Sequence, residues 1–148
     1  MGIFGFGNKK EQPTLLTDIK KSSDWIAMAL NSSGYQVSMN IESLKEIDRF
    51  FHEQMDDVTH TPKPGGLLSE SMGSRLFAIG SFIGEVIINE YGGKWITDDN
   101  DEHGEINITV ELPNRIMLWP VQRVMKRCGE GPENDIYNYA VLSGRYNT

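Results

Sequence analysis

The residues best spaced for chemistry fall in one short run, Gly80-Ser81-Phe82-Ile83-Gly84-Glu85, where a lone carboxylate follows two glycines inside an apolar stretch. At helical spacing Ser81 and Glu85 stand one turn apart, and Gly80 and Gly84 leave that face without side-chain bulk. A carboxylate set beside a core needs a partner, and Arg115, Arg123 and Arg127 are the candidates. Two readings follow. In one, the glycine face is a groove for a small ligand or a hydrolysable substrate, with Glu85 as its polar contact. In the other, a second backbone packs against Gly80 and Gly84, and Glu85 belongs to a structural ion pair. No second acid, nucleophile or phosphate-cradling loop stands at a useful spacing, so no catalytic residue is assigned and a non-enzymatic role is preferred.

The other candidate chemistry is thinner. His52 and Asp56 share a helix face, yet no third ligand can be identified. The acidic turn Asp98–Glu105 opens like a calcium loop, with Asp99, Asp101 and His103 at alternate positions and Gly104 next. Val110 then stands where a bidentate glutamate is required, and the flanks read as strands. It is a solvated loop, and no metal or cofactor is assigned. Cys128 is the one cysteine, which excludes an internal disulfide; it reads as a buried bystander in a reducing compartment. Arg115, Arg123, Lys126 and Arg127 form the one basic cluster, next to Met117 and Trp119, which share a strand face. An aromatic beside arginines is a typical protein-binding composition if that face is open.

The elements that hold these residues follow from periodicity. Leu15, Leu16, Ile19, Trp25, Ile26, Ala29 and Leu30 recur at helical spacing up to Gly34, with Ser22-Ser23-Asp24 as a candidate break. Tyr35–Met39 permits a short strand. Asn40 caps a half-buried helix carrying Ile41, Leu44, Ile47, Phe51 and Met55. The longest apolar segment, about Leu67 to Tyr91, reads as a central helix closed by Gly92-Gly93. Ile106, Ile108, Val110 and Leu112 alternate with polar residues as a strand, and Pro113-Asn114 turns the chain back through Arg115–Trp119. Trp95–Thr97 makes a third strand of this meander. Pro120 starts a short helix ending at Gly129, and a last helix spans about Glu133 to Leu142. The expected fold is α+β: a long central helix packed on a three-stranded antiparallel meander, with helices at both ends. Residues 1–12 read as a flexible tip and residues 13–148 as a single domain.

The chain has 148 residues and a formal charge of −7. One domain of that size buries a core without disulfides, and its acidity argues against generic nucleic-acid binding. No basic region followed by a long apolar run opens the chain, so the expected location is cytoplasmic. Glu70, Arg75, Glu85 and Glu90 exclude the central helix as a membrane span. Ile3, Phe4 and Phe6 with Lys9 and Lys10 could touch an anionic membrane surface only weakly.

The run Gly80–Glu85, the helix end Gly92-Gly93-Lys94-Trp95, the hairpin Leu112-Pro113-Asn114 with Trp119-Pro120, and Val124-Met125-Lys126-Arg127 together resemble a loose group of small uncharacterised bacterial proteins. The resemblance spans roughly Leu44 to Leu142 and implies a fold but no activity. The function expected is a cytoplasmic protein-binding module, of the immunity or regulatory type. A ligand-binding protein or hydrolase using the Glu85 groove, and a peripheral membrane accessory, are the alternatives. The binding residues expected are Glu85, Ser81, Gly84, Trp95, Arg115, Trp119, Arg123 and Arg127; the sequence leaves the oligomeric state open.

Overall fold

A computed structural model describes residues 13–145 of the chain. Five helices dominate: α1 (Leu15–Ser32), α2 (Leu44–Gln54), α3 (Met72–Tyr91), α4 (Pro120–Glu130) and α5 (Ile136–Arg145). A two-stranded antiparallel sheet pairs β1 (Met55–Asp56) with β2 (Thr61–Pro62). A three-stranded antiparallel sheet holds β3 (Lys94–Ile96), β4 (Thr109–Glu111) and β5 (Met117–Leu118) in that order. This is the α+β fold with its meander. Among the described residues no helix is long and apolar enough to cross a membrane. The expectation for Ile3, Phe4, Phe6, Lys9 and Lys10 lies outside the described residues.

Helix α3 is the axis of the molecule. Ile79, Phe82, Ile83, Val86 and Ile87 are fully buried along it, each contributing about 1.5–3 kcal/mol of transfer free energy. Helices α1 and α4 pack most extensively against it, while α2 packs on α5. α3 is shorter than its apolar run suggests. Residues 67–71 form turns instead, because Ser71 takes a left-handed conformation (φ 52°) and the Gln54 side chain captures the Leu67 N–H at 2.8 Å.

Helix α1 runs unbroken through Ser22-Ser23-Asp24, with Ser23 buried on its inner side. Its start is tied reciprocally: Thr14 Oγ1 accepts from the Thr17 N–H, and Thr17 Oγ1 accepts from the Thr14 N–H. Asp99 of the acidic turn accepts the Leu15 N–H at 2.8 Å, a long-range cap. The rest of that turn is held by its own acids. Asp98 accepts from the Asn100 N–H, and Asp101 accepts from the His103 N–H and the Asn107 amide. Pairing of β3 with β4 ends at Ile96 opposite Thr109, so Ile106 and Asn107 remain in turns and the strand is shorter than its alternation.

Among the described residues Tyr35–Met39 joins no sheet. The Asn31 side chain replaces a neighbouring strand, accepting the Val37 N–H and donating to the Val37 carbonyl. Met55 leaves the second helix to begin β1, a hairpin too short to show in periodicity. Gly144 falls inside α5 and not past its end; the Tyr91 ring lies where a side chain would project, so the position takes a glycine.

On α2, Glu46 receives two hydrogen bonds from Arg49, at 2.9 and 3.1 Å, and the Gln36 N–H at 2.9 Å. The Arg49 bonds, then the Gln36 N–H, hold its carboxyl down to about 2 from an ordinary 4.5. A carboxyl depressed on folding adds stability above its unfolded value and loses it as pH falls. The contribution is therefore complete above about pH 4.5 and gone near pH 2. It amounts to about 1 kcal/mol for a pair this close to water. Glu46→Gln should flatten the stability profile across that window in urea melts at stepped pH; an unchanged slope would show that the pair adds nothing.

Candidate functional site

Glu85 leaves α3 where α1 and β3 meet. Lys20 Nζ lies 3.0 and 3.1 Å from its two oxygens, and the Trp95 indole N–H donates to Oε2 at 2.7 Å. The Glu85 side chain is 18% exposed against 58% for Lys20, so the carboxylate sits half inside with its cation at the rim. The partner expected among Arg115, Arg123 and Arg127 is thus replaced by Lys20, delivered by α1 lying along α3.

The glycine face is filled. A Cβ on Gly84 would lie 2.1 Å from the Trp95 ring, so the indole rests on the bare helix backbone. A Cβ on Gly80 would lie 2.6 Å from a Val121 methyl carbon and 2.8 Å from the Val121 Cα, so the first turn of α4 closes on α3 there. Ser81 is fully buried, its hydroxyl without a hydrogen-bond partner among the described residues. What stays open is a shallow cleft of about 370 Å³ beside Glu85, edged by Lys20, Met39, Asn89 and Lys94.

The basic cluster disperses over three environments. Arg127 is 2% exposed; its Nη1 lies 3.1 Å from Asp57, its guanidinium faces the Phe51 ring, and its Nε has no hydrogen-bond partner among the described residues. Arg123 is half-buried, with its guanidinium 4.6 Å over the Tyr139 ring and a hydrogen bond to Asn134 Oδ1 at 3.2 Å. Arg115 stands exposed at the hairpin tip with φ 76°. The Arg115 N–H donates to the Leu112 carbonyl and the Leu112 N–H to the Ile116 carbonyl, which demands a left-handed residue normally supplied by glycine. Arg115→Gly should therefore stabilise the fold by about 0.5–1 kcal/mol. A urea midpoint at or below that of the parent protein would refute this.

Strand register decides which side chains face outward, since residues directly opposite share a face. Trp95, Val110 and Leu118 stand opposite one another on the α3 side. Lys94, Glu111 and Met117 form a row on the other side, with Ile96 opposite Thr109, and Trp119 follows β5 as the N-cap residue of α4. Ile96 is 40% exposed and Met117 39% on that side, and Trp119 is 44% exposed, whereas Thr109 and Glu111 of the central strand are largely buried. Lys94 and Glu111 face each other there at 3.8 Å.

No protein-family model, curated protein or solved structure matches the chain. Its chemistry is read from its own geometry. Among the described residues no three His, Cys, Asp or Glu side chains come together as a metal-holding group. Burial pushes the Cys128 thiol up to about 12, so it is protonated and inert as a nucleophile at neutral pH.

The expected residues therefore divide. Glu85, Gly84 and Trp95 meet one another, Ser81 is buried in α3 away from the cleft lining, and Arg115, Arg123, Arg127 and Trp119 do not come together. Lys20 and Asp57 were absent from the expected set. A signal for Asp57 does exist in the sequence: Arg127 falls on the Val121, Val124, Cys128 stripe, and an arginine on a buried stripe implies a carboxylate elsewhere. Nothing in the sequence near Glu85 points sixty-five residues back to Lys20.

A second concavity, of about 310 Å³, opens between β5 and α5. Ile116, Leu118 and Leu142 supply its apolar wall, with Arg123, Glu133, Asp135, Asn138 and Tyr139 around it. Burial, opposed by Arg123 and by the Trp119 N–H, pushes the Tyr139 hydroxyl up to about 12, so this wall is neutral phenol.

Proposed function

We propose that the protein is a non-enzymatic cytoplasmic binding module, of the immunity or regulatory type, that docks another protein on the outer face of its three-stranded sheet. The observation that carries this reading is the exposure of Met117 and Trp119, two residues apart at one edge of a sheet whose opposite face is packed on α3, with Ile96 exposed at the other edge. Contiguous apolar side chains rimmed by charge mark protein contacts on soluble domains, and tryptophan is the residue most often dominant in them. Lys94, Glu111 and Arg115 would form the polar rim. The filled glycine face and the engagement of Glu85 by Lys20 and Trp95 favour this surface over the Glu85 cleft as the binding site.

The test is affinity capture from the source cells with the wild-type chain, Trp119→Ala, Met117→Lys and Glu85→Gln, each first shown to be folded. A specific partner should be retained by wild type and Glu85→Gln and lost by the two face variants. Trp119→Ala should weaken the complex about thirtyfold, a loss of about 2 kcal/mol at a central aromatic contact. Retention by both face variants, or loss only with Glu85→Gln, would overturn the reading.

A further inference from the structure

The concavity between β5 and α5 shares a strand with the proposed docking face. Ile116 and Leu118 line it, and Met117, between them on β5, faces the opposite side of the sheet. A protein seated on Met117 and Trp119 therefore lies within a strand's width of it. One wall is aliphatic, from Ile116, Leu118 and Leu142, and the polar end carries two carboxylates, Glu133 and Asp135, against one cation, Arg123.

The charges are unequally committed. Arg123 is spent within the wall, stacked on Tyr139 and bonded to the Asn134 side chain. The Asp135 carboxylate accepts the Asn138 N–H and side-chain amide, both at 3.2 Å, as the cap of α5. No cation pairs with Glu133 or Asp135 among the described residues. The polar end thus keeps a net negative charge beside an apolar wall, on a chain whose overall charge is −7.

We propose that this concavity is a recognition pocket for a lysine side chain of the docked protein, its alkyl stem on Ile116 and Leu142 and its ammonium at Glu133 and Asp135. An aliphatic stem under a charged head is the shape lysine offers. An ammonium suits the site better than a guanidinium because Arg123 already occupies the Tyr139 face on which a second planar cation would stack. The volume, about 310 Å³, is at the small end for ligand pockets and fits one side chain. The proposal rests on the docking reading only for the source of the lysine; the pocket is testable without any partner.

The experiment titrates the full chain, labelled for amide NMR, with Nα-acetyl-lysine N-methylamide, which carries the side-chain ammonium with both main-chain charges blocked. Saturable shifts should concentrate on Asn138, Leu142 and Ser143, with millimolar affinity. The Nε-acetylated probe should bind about tenfold more weakly, as should the original probe to Glu133→Gln, the loss expected on removing one charge-assisted contact. Glu133 is exposed, so this variant should keep the parent melting temperature. No saturable shift, equal binding of the acetylated probe, or full affinity in Glu133→Gln would each overturn the pocket. Probe binding with a partner indifferent to Met117→Lys would fail the docking face and leave the pocket standing; the reverse pattern would fail the pocket alone.

Discussion

Gly80→Ala should destabilise the protein by about 3 kcal/mol, the reverse of what helix propensity predicts. Alanine inside a helix normally gains about 1 kcal/mol over glycine. At Gly80 the added carbon would meet Val121 at 2.6 Å through its methyl, 2.8 Å through its Cα and 3.0 Å through its nitrogen. Two of those three atoms are main chain, so no rotamer relieves the clash and α4 itself must retreat from α3. At Gly84 the three atoms nearest an added carbon all belong to the Trp95 ring, at 2.1 to 3.1 Å, and the indole can swing aside. That movement forfeits the 2.7 Å hydrogen bond to Glu85, so a loss of about 2 kcal/mol with altered tryptophan emission is expected. Gly73, in the first turn of α3, faces open space, and Gly73→Ala should stabilise by up to about 1 kcal/mol. Urea midpoints at constant slope measure all three. If the three alanines shifted stability in the same direction, close packing would not be the reason for these glycines.

Asp57→Ala should cost about 3 kcal/mol, whereas Arg127→Met should leave stability within about 1 kcal/mol of wild type. Arg127 is among the most deeply buried large side chains of the molecule, and a guanidinium cannot shed its proton to escape that position. Among the described residues Asp57 is the carboxylate paired with it, at 3.1 Å. Removing Asp57 leaves an uncompensated charge against Phe51, and His52, 3.7 Å from the Asp57 carboxylate, would bring a second cation if protonated. Replacing Arg127 by methionine instead removes the charge together with the buried, unpartnered Nε, and Asp57, 24% exposed, returns to water. The double variant should recover most of what Asp57→Ala loses, a coupling of about 2 kcal/mol in a double-mutant cycle. Additive single effects would mean that the ion pair is incidental to stability.

The elements were legible where one face is apolar over many residues. The Ile47 and Phe51 periodicity marks α2, Pro120 marks the start of α4, and the Val110 alternation with the Pro113-Asn114 turn marks the meander. Legibility failed where side chains stand in for backbone partners or where elements are too short for a period. Asn31 holds Tyr35–Met39 extended without a sheet, Asp48 caps α5 from α2 by accepting the Ile136 and Tyr137 N–H groups, and β1 and β2 hold two residues each.

From the sequence alone came an α+β chain built on a central helix whose glycines demanded a close neighbour. A missing Cβ is a local fact that announces a contact without naming it. Only the tertiary structure decided that Val121 and Trp95 fill that face, that Lys20 and not an arginine neutralises Glu85, and that Arg127 goes inside while Trp119 stays out. Periodicity records which side of an element is buried. The partner of a charge, and the cover over a sheet, depend on which distant segment the fold brings within a few ångströms, and that is set by packing.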